Sequence, residues 1–358
     1  MATLFLFTSL AAVAQTSYYV VKGKIIDKVT RAPLQGASVF AQNTTLGVAS
    51  DASGDFSIRL PEGGYSLIVT YTGYETESIR ISHTSSLNDS MVFELSPKEK
   101  ALEEVSVAIT TQVKDGWQKY GEFFTENFIG QTKFGKQCVI KNPEVLHFYF
   151  SKKRNRLKVL AKEPLIVDNF ALGYTLKFAI DSFTNEYNTK TNLFAGYPLF
   201  EEMQGTAEQQ ETWQKNRAIA YKGSMLHFMR SVYERTLQPE GFEVQFIIKN
   251  NGEEMPIPLK NLYGALNYEK DDSTNTVEFY PNQTDVAVIY KEKPEQAYRQ
   301  FDSSAKKNFQ LSTLTFAKDE SVIIEQNGYY FDQQDIITNG YLAFKKIGDM
   351  LPYDYKTD

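Results

Sequence analysis

Asp51-Ala52-Ser53-Gly54-Asp55-Phe56-Ser57-Ile58-Arg59-Leu60-Pro61-Glu62-Gly63-Gly64-Tyr65-Ser66-Leu67-Ile68-Val69-Thr70-Tyr71 decides the fold of the first part of this chain. A turn cluster opens it. Phe56, Ile58 and Leu60 then alternate with Ser57 and Arg59, the period of a half-buried strand. Pro61-Glu62-Gly63-Gly64 makes a second turn, and a second strand follows to Tyr71. Outward from this pair, residues 20–26 and 37–41 read as strands on the N-terminal side, and 78–81 and 91–95 on the other. About seven short strands punctuated by Gly and Pro predict an antiparallel β-sandwich over residues 18–95. Gly54 and Gly63 or Gly64 suit turns needing positive φ, and Phe56 and Tyr65 suit the space between two sheets.

Several turn motifs recur in a fixed order. They are Lys22-Gly23-Lys24-Ile25-Ile26-Asp27, Pro33-Leu34-Gln35-Gly36-Ala37-Ser38-Val39, Ser50-Asp51-Ala52-Ser53-Gly54-Asp55-Phe56, Leu60-Pro61-Glu62-Gly63-Gly64-Tyr65 and Tyr71-Thr72-Gly73-Tyr74. In this order they resemble the carboxypeptidase-regulatory-like domain. The resemblance implies a transthyretin-like sandwich of about seven strands, a non-catalytic domain found before outer-membrane transporters or beside enzymes. It carries over no functional residue.

Ala12-Val13-Ala14 ends a short apolar segment, and small residues there fit a signal-peptidase site before Gln15. We therefore expect a signal peptide over 1–14 and an exported protein, periplasmic or associated with the outer membrane or cell surface. The usual positive charge ahead of the apolar run is missing, which points to a shortened or misassigned start. No later stretch reaches the ~20 apolar residues of a membrane-spanning helix. With 38 Lys+Arg against 44 Asp+Glu, the net charge of -6 and the lack of a basic run argue against nucleic acid as a partner. Cys138 is the single cysteine, so no intrachain disulfide forms, and with no basic neighbour it reads as a small buried hydrophobe.

Residues 96–110 read as a linker and connecting strand. Ala101-Leu102-Glu103-Glu104-Val105-Ser106-Val107-Ala108-Ile109-Thr110 resembles the energy-coupling box of TonB-dependent receptors, but too little chain follows for a plug and barrel. Over 111–358 we expect a β-rich α+β domain, divided near the turn Lys249-Asn250-Asn251-Gly252. It loosely resembles an uncharacterised family found behind such sandwiches. Tyr120, Phe123, Phe124 and Phe128 have helical spacing over 117–128. Lys152-Lys153-Arg154-Asn155 is a basic hairpin tip, and 341–347 reads as a short terminal helix. The one long helix predicted spans 207–236, with Trp213, Tyr221, Met225, Phe228, Met229 and Val232 on its apolar face. Arg217 and Ser224 interrupt that face. They read first as internal bonds to a sheet and second, with Tyr221, as a polar site at a groove. His227 and Arg230 fall on its flanks.

Catalytic signatures are recognised by their spacing. The three histidines, His83, His147 and His227, have Ser86, Phe150 and Arg230 three residues on, so the His-x-x-Glu pair of a zinc carboxypeptidase is missing. Gly130-Gln131-Thr132-Lys133-Phe134-Gly135-Lys136-Gln137 approaches a phosphate-binding loop but lacks its final Ser or Thr. Glu201-Glu202, Glu253-Glu254 and Asp271-Asp272 are neighbours in sequence and read as solvated surface or turns. The sequence implies no catalytic residue, metal or cofactor.

The leading expectation is a non-catalytic envelope protein whose sandwich is a scaffold presenting a binding domain, with another envelope protein or a glycan as partner. Exposed aromatics would serve such binding; Tyr329 and Tyr330 are candidates beside Arg217, Tyr221 and Ser224. The alternatives are an accessory component of a TonB-dependent transport system, or a carbohydrate or peptide hydrolase whose carboxylates are brought together by the fold.

Overall fold

The alternation of the opening stretch becomes two facing layers. In the computed structural model, which describes residues 17–82, 91–98, 111–250, 253–302 and 307–357, the chain is mostly β with short helices. Its first strands are β1 (Tyr18–Asp27), β2 (Ser38–Ala41), β3 (Gly47–Ala49), β4 (Asp55–Pro61), β5 (Tyr65–Thr70), β6 (Glu77–Ile81) and β7 (Met91–Leu95). One layer has the order β4-β1-β7 and the other β3-β2-β5-β6. Phe56, Ile58 and Leu60 point between the layers together with Tyr65 and Leu67, and all five are buried. One pair departs from the expected antiparallel pattern. β7 runs parallel to β1, Gly23 opposite Met91, because the chain changes layer between β6 and β7. Residues 1–14, expected to be a signal peptide, and the stretch 101–110 lie outside the described residues.

The second body is a seven-stranded sheet with a helix on it. β8 (Thr111–Gln112), α1 (Gly116–Phe128), β9 (Cys138–Ile140), β10 (Leu146–Ser151), β11 (Arg156–Ala161), β12 (Leu165–Asn169), β13 (Tyr174–Glu186) and β14 (Thr191–Glu202) follow in sequence. The sheet order is β8-β10-β11-β13-β12-β9, with β14 along the other side of β13. α1 forms over the aromatic spacing read from the sequence. Phe124 and Phe128, four residues apart, stack at 5.0 Å, and Phe128 meets Phe178 and Phe194 edge-on. The basic tip joins β10 to β11 as expected.

The third body holds α2 (Ala207–Tyr221), α3 (Met225–Tyr233), β15 (Phe242–Asn250), β16 (Glu253–Pro258), α4 (Leu262–Ala265), β17 (Glu269–Asp271) and β18 (Thr276–Phe279). It continues with β19 (Asp285–Tyr290), α5 (Gln296–Phe301), β20 (Gln310–Phe316), β21 (Val322–Glu325), β22 (Ile336–Gly340) and α6 (Tyr341–Phe344). A five-stranded sheet β16-β15-β19-β20-β22 lies beside a three-stranded sheet β17-β18-β21. Asn250 pairs with Glu253, so the chain turns back within one hairpin there, and no boundary falls at 250. Along the two helices the core changes earlier: Ala220 and Leu226 pack with the seven-stranded sheet, and Phe228, Met229 and Val232 pack with the third body.

The long helix expected over 207–236 is two helices. Gly223 takes φ +65°, a left-handed conformation that ends α2, and Ser224 then caps α3 by accepting from the His227 N–H at 3.1 Å. Apolar spacing runs on through the break, and only Gly223-Ser224 marks it in the sequence. The break re-phases the second half, so His227 and Arg230, expected on the flanks, turn inward. His227 is buried among Tyr221, Phe242 and Tyr290.

Candidate functional site

α2 carries the first group of candidates. Its N-terminus is fixed by a capping box between Thr206 and Gln209. One face then reads the carbonyls of the turn between β12 and β13. Trp213 donates to Phe170 O at 2.9 Å, Asn216 to Ala171 O at 2.8 Å, and Arg217 Nε to Leu172 O at 2.7 Å. Arg217 also donates to Gly173 O, pairs with Glu202 at 2.9 Å and lies 3.8 Å over the Tyr174 ring. Each of the three guanidinium nitrogens thus has a partner within the fold. Of the two readings of Arg217, the internal bond is the one the geometry gives.

Tyr221 closes the same corner, against His227 and Tyr355. Ser224 is spent on its cap. Tyr329 and Tyr330 are buried in two different cores, and Tyr329 shares a 2.7 Å hydrogen bond with Ser66 of the sandwich. Neither ring offers an exposed platform. A small crevice of about 210 Å³ touches Arg217, Thr45 and Asp354, but both oxygens of Asp354 already accept from Thr45.

These contacts belong to a broad joint. Asn43 N–H donates to Pro198 O at 2.7 Å, Phe200 N–H to Thr44 O at 2.9 Å, and Tyr353 N–H to Asn43 O at 2.7 Å. The turn between β2 and β3 is therefore stitched to β14 and to the chain's last segment by backbone bonds. On the other side, Asn327 donates to Gly64 O at 3.3 Å, and the Arg80 guanidinium lies over the Phe331 ring. The sandwich is wedged against both later bodies.

A larger cleft of about 500 Å³ opens beside this joint. Arg80 and Ser82 of the sandwich form one wall, and one face of β17-β18-β21 forms the other. Strand register decides which residues share that face. Glu269, Glu278 and Ile323 make one cross-strand row; Asp271, Thr276 and Glu325 make the next. The opposite face carries Val277, Phe279, Val322 and Ile324 into the third core.

Glu325 is the unusual member. Its side chain is 1% exposed, and its Oε1 has no hydrogen-bond partner among the described residues. Burial pushes its carboxyl up to about 7, against the opposing pulls of the Arg80 charge and the nearby Gly64 N–H. Asp271, by contrast, accepts from the Ser273 hydroxyl at 2.6 Å and its N–H at 2.8 Å, which hold it below the usual carboxylate range. In sequence Asp271-Asp272 reads as solvated surface or a turn, and nothing singles out Glu325. Val322-Ile323-Ile324-Glu325 reads as an ordinary short apolar strand, and the lid over its last residue comes from Gly64, some 260 positions away in sequence.

Gly64 is needed for that approach, not for its turn. Gly63 carries the positive φ of 133°, whereas a Cβ on Gly64 would stand 2.2 Å from Glu325 Oε1. Gly64→Ala should force the two apart and cost about 1–3 kcal/mol in denaturant unfolding. An unchanged midpoint would mean the joint is loose there.

The remaining candidates resolve as packing. The loop resembling a phosphate-binding site is filled by later parts of the chain: Thr132 donates to Asp349 at 2.7 Å, Gly348 N–H to Ile129 O at 2.8 Å, and Lys133 N–H to Glu295, just before α5, at 3.0 Å. Burial raises the half-buried Cys138 thiol to about 12, leaving it protonated and unreactive. His227 Nδ1 accepts a hydrogen bond from Gly223 N–H, its Nε2 faces Glu240 at 3.1 Å, and burial lowers its pKa.

Comparison with known proteins bears on the sandwich alone. Residues 21–107 match the family model of the CarboxypepD_reg-like domain. The chain carries a carboxypeptidase-regulatory-like domain. The fold of β1–β7 agrees with that assignment, and residues 111–358 fall outside it. No curated protein matches the chain in sequence.

Proposed function

We propose that this is a non-catalytic, exported envelope protein in which the regulatory-like sandwich braces a binding unit formed by the two later bodies. One observation carries the reading: a cleft of about 500 Å³ is walled jointly by the sandwich and by β17-β18-β21. A sandwich that supplies a wall is part of the binding architecture, more than a spacer on a linker. The sandwich also holds the seven-stranded sheet through backbone bonds at Asn43, Phe200 and Tyr353, which keeps that wall in register.

The test is capture by the intact mature chain from envelope extract, paired with a glycan array. Specific capture whose strength is altered in Arg80→Ala, a change to the sandwich wall alone, is expected. Absence of any specific capture overturns the reading.

A second reading, a hydrolase, is favoured by the two carboxylates of opposite character in one cleft. Asp271 and Glu325 flank Thr276 in one row, two strand spacings or about 10 Å apart at the backbone. One is held ionised and the other is raised toward neutrality, the division of labour of an acid–base pair. Turnover of envelope glycans or peptides that disappears in Glu325→Gln would replace the binding reading with this one.

A further inference from the structure

The cleft has a definite electrostatic character. Its lining holds the carboxylates of Glu269, Asp271, Asp272, Glu278 and Glu325 against two cations. Both cations are turned to other work. The Arg80 guanidinium sits 3.1 Å from the Phe331 ring centroid, and the Lys270 ammonium sits 5.0 Å over Tyr233. Lys270 lies opposite Val277, in the row that faces the core. Neither cation makes an ion pair with a cleft carboxylate among the described residues.

Two features separate this face from a merely solvated acidic surface. Glu269 and Glu278 stand directly opposite each other across β17 and β18, where like charges repel. Glu325 is buried with an unpartnered oxygen, a position that disfavours the ionised form unless a donor arrives. Both conditions are relieved by the same visitor, a positively charged hydrogen-bond donor. A metal ion is the poorer fit, because among the described residues no three carboxylate, imidazole or thiol groups gather as ligands. The carboxylates are instead spread along two rows of a cavity of about 500 Å³, room for a small organic molecule.

We propose that this cleft binds an organic cation bearing more than one alkylammonium or guanidinium group, with Glu325 and Glu278 as its principal counter-charges. Such groups are presented by free polyamines and by lysine and arginine side chains. The proposal deepens the binding reading above and rests on it. Glu278 meets one donor at the open row, and Glu325 meets a second at the buried row. Arg80 sits at the sandwich wall and disfavours cations that do not reach past it.

Isothermal titration of the full mature chain at pH 8 and low salt tests this, with spermidine and a blocked dilysine peptide as probes and 1,5-pentanediol as the uncharged control. Binding of at least one amine probe and none of the diol is expected. Glu325→Gln and Glu278→Gln should each weaken that binding tenfold or more. Glu253→Gln, on the remote strand β16, should leave it unchanged. Preference for spermidine identifies a free amine as the source, and preference for the peptide identifies a side chain. No binding of either amine overturns the proposal, as does equal affinity in wild type and Glu325→Gln, or equal weakening by Glu253→Gln. A cleft that ignores amines while the chain still captures an envelope component leaves the scaffold reading standing.

Discussion

Glu325→Gln raises the melting temperature by about 4 °C at pH 8 and leaves it nearly unchanged at pH 4.5. In the folded chain burial lifts this carboxyl from its ordinary 4.5 to about 7. Between those values the native state keeps a proton that the unfolded chain has released. Stability from this group is therefore fully present below pH 4.5, declines as pH rises toward 7, and stays lost above it. The size of the loss is about 3 kcal/mol. Asp349, buried beside Thr132 and raised to about 6, adds a decline in the same direction at slightly lower pH. Gln keeps the shape of Glu325 without the charge, so its advantage should grow over the same interval. Calorimetric scans of both proteins across pH 4.5–8 check this; parallel curves would show that Glu325 is not charged at a buried site. A natural residue that lowers stability at neutral pH is what a ligand-binding carboxylate looks like before its ligand arrives.

Arg230→Ala should cost about 2–4 kcal/mol, the second large effect. From α3, Arg230 Nε donates to Asn327 O at 3.0 Å, and its NH2 group donates to Tyr353 O at 3.0 Å and Tyr355 O at 2.9 Å. One guanidinium thereby ties the helix, the turn after β21 and the last segment of the chain. Removing it leaves three carbonyls short of a donor, two of them beside the segment whose Tyr353 N–H holds Asn43 of the sandwich. Arg230→Lys keeps the charge but offers one ammonium to carbonyls that the planar fork reaches together, so it should recover less than half of the loss. Urea unfolding of the three proteins gives the comparison. Equal midpoints would mean that the tail is held by packing alone.

The sequence is most informative where structure is local. The sandwich strands follow from alternation and turn residues, and α1 follows from the spacing of Phe124 and Phe128. The third body is harder to read. β16 and β22 escape notice because Glu-Glu-Met-Pro-Ile-Pro and Ile-Ile-Thr-Asn-Gly lack clean alternation and become strands by pairing with β15 and β20. The break at Gly223 was masked by apolar residues that continue on both sides, yet they serve two cores. The cleft was the least legible feature. Its rows exist through the register of β17, β18 and β21, and Glu325 is remarkable only once Gly64 covers it. Long-range contacts of that kind leave no pattern in a single stretch of sequence.

Amide hydrogen exchange on the intact chain reaches the central claim most directly, because three backbone N–H groups bridge the sandwich, β14 and the last segment. The account predicts that Asn43, Phe200 and Tyr353 exchange as slowly as the interior amides of β5 and β13, since opening them means separating the sandwich from the sheet it braces. Exchange of all three at the rate of exposed loop amides, with β5 and β13 still protected, would contradict it and return the sandwich to the status of an independent bead.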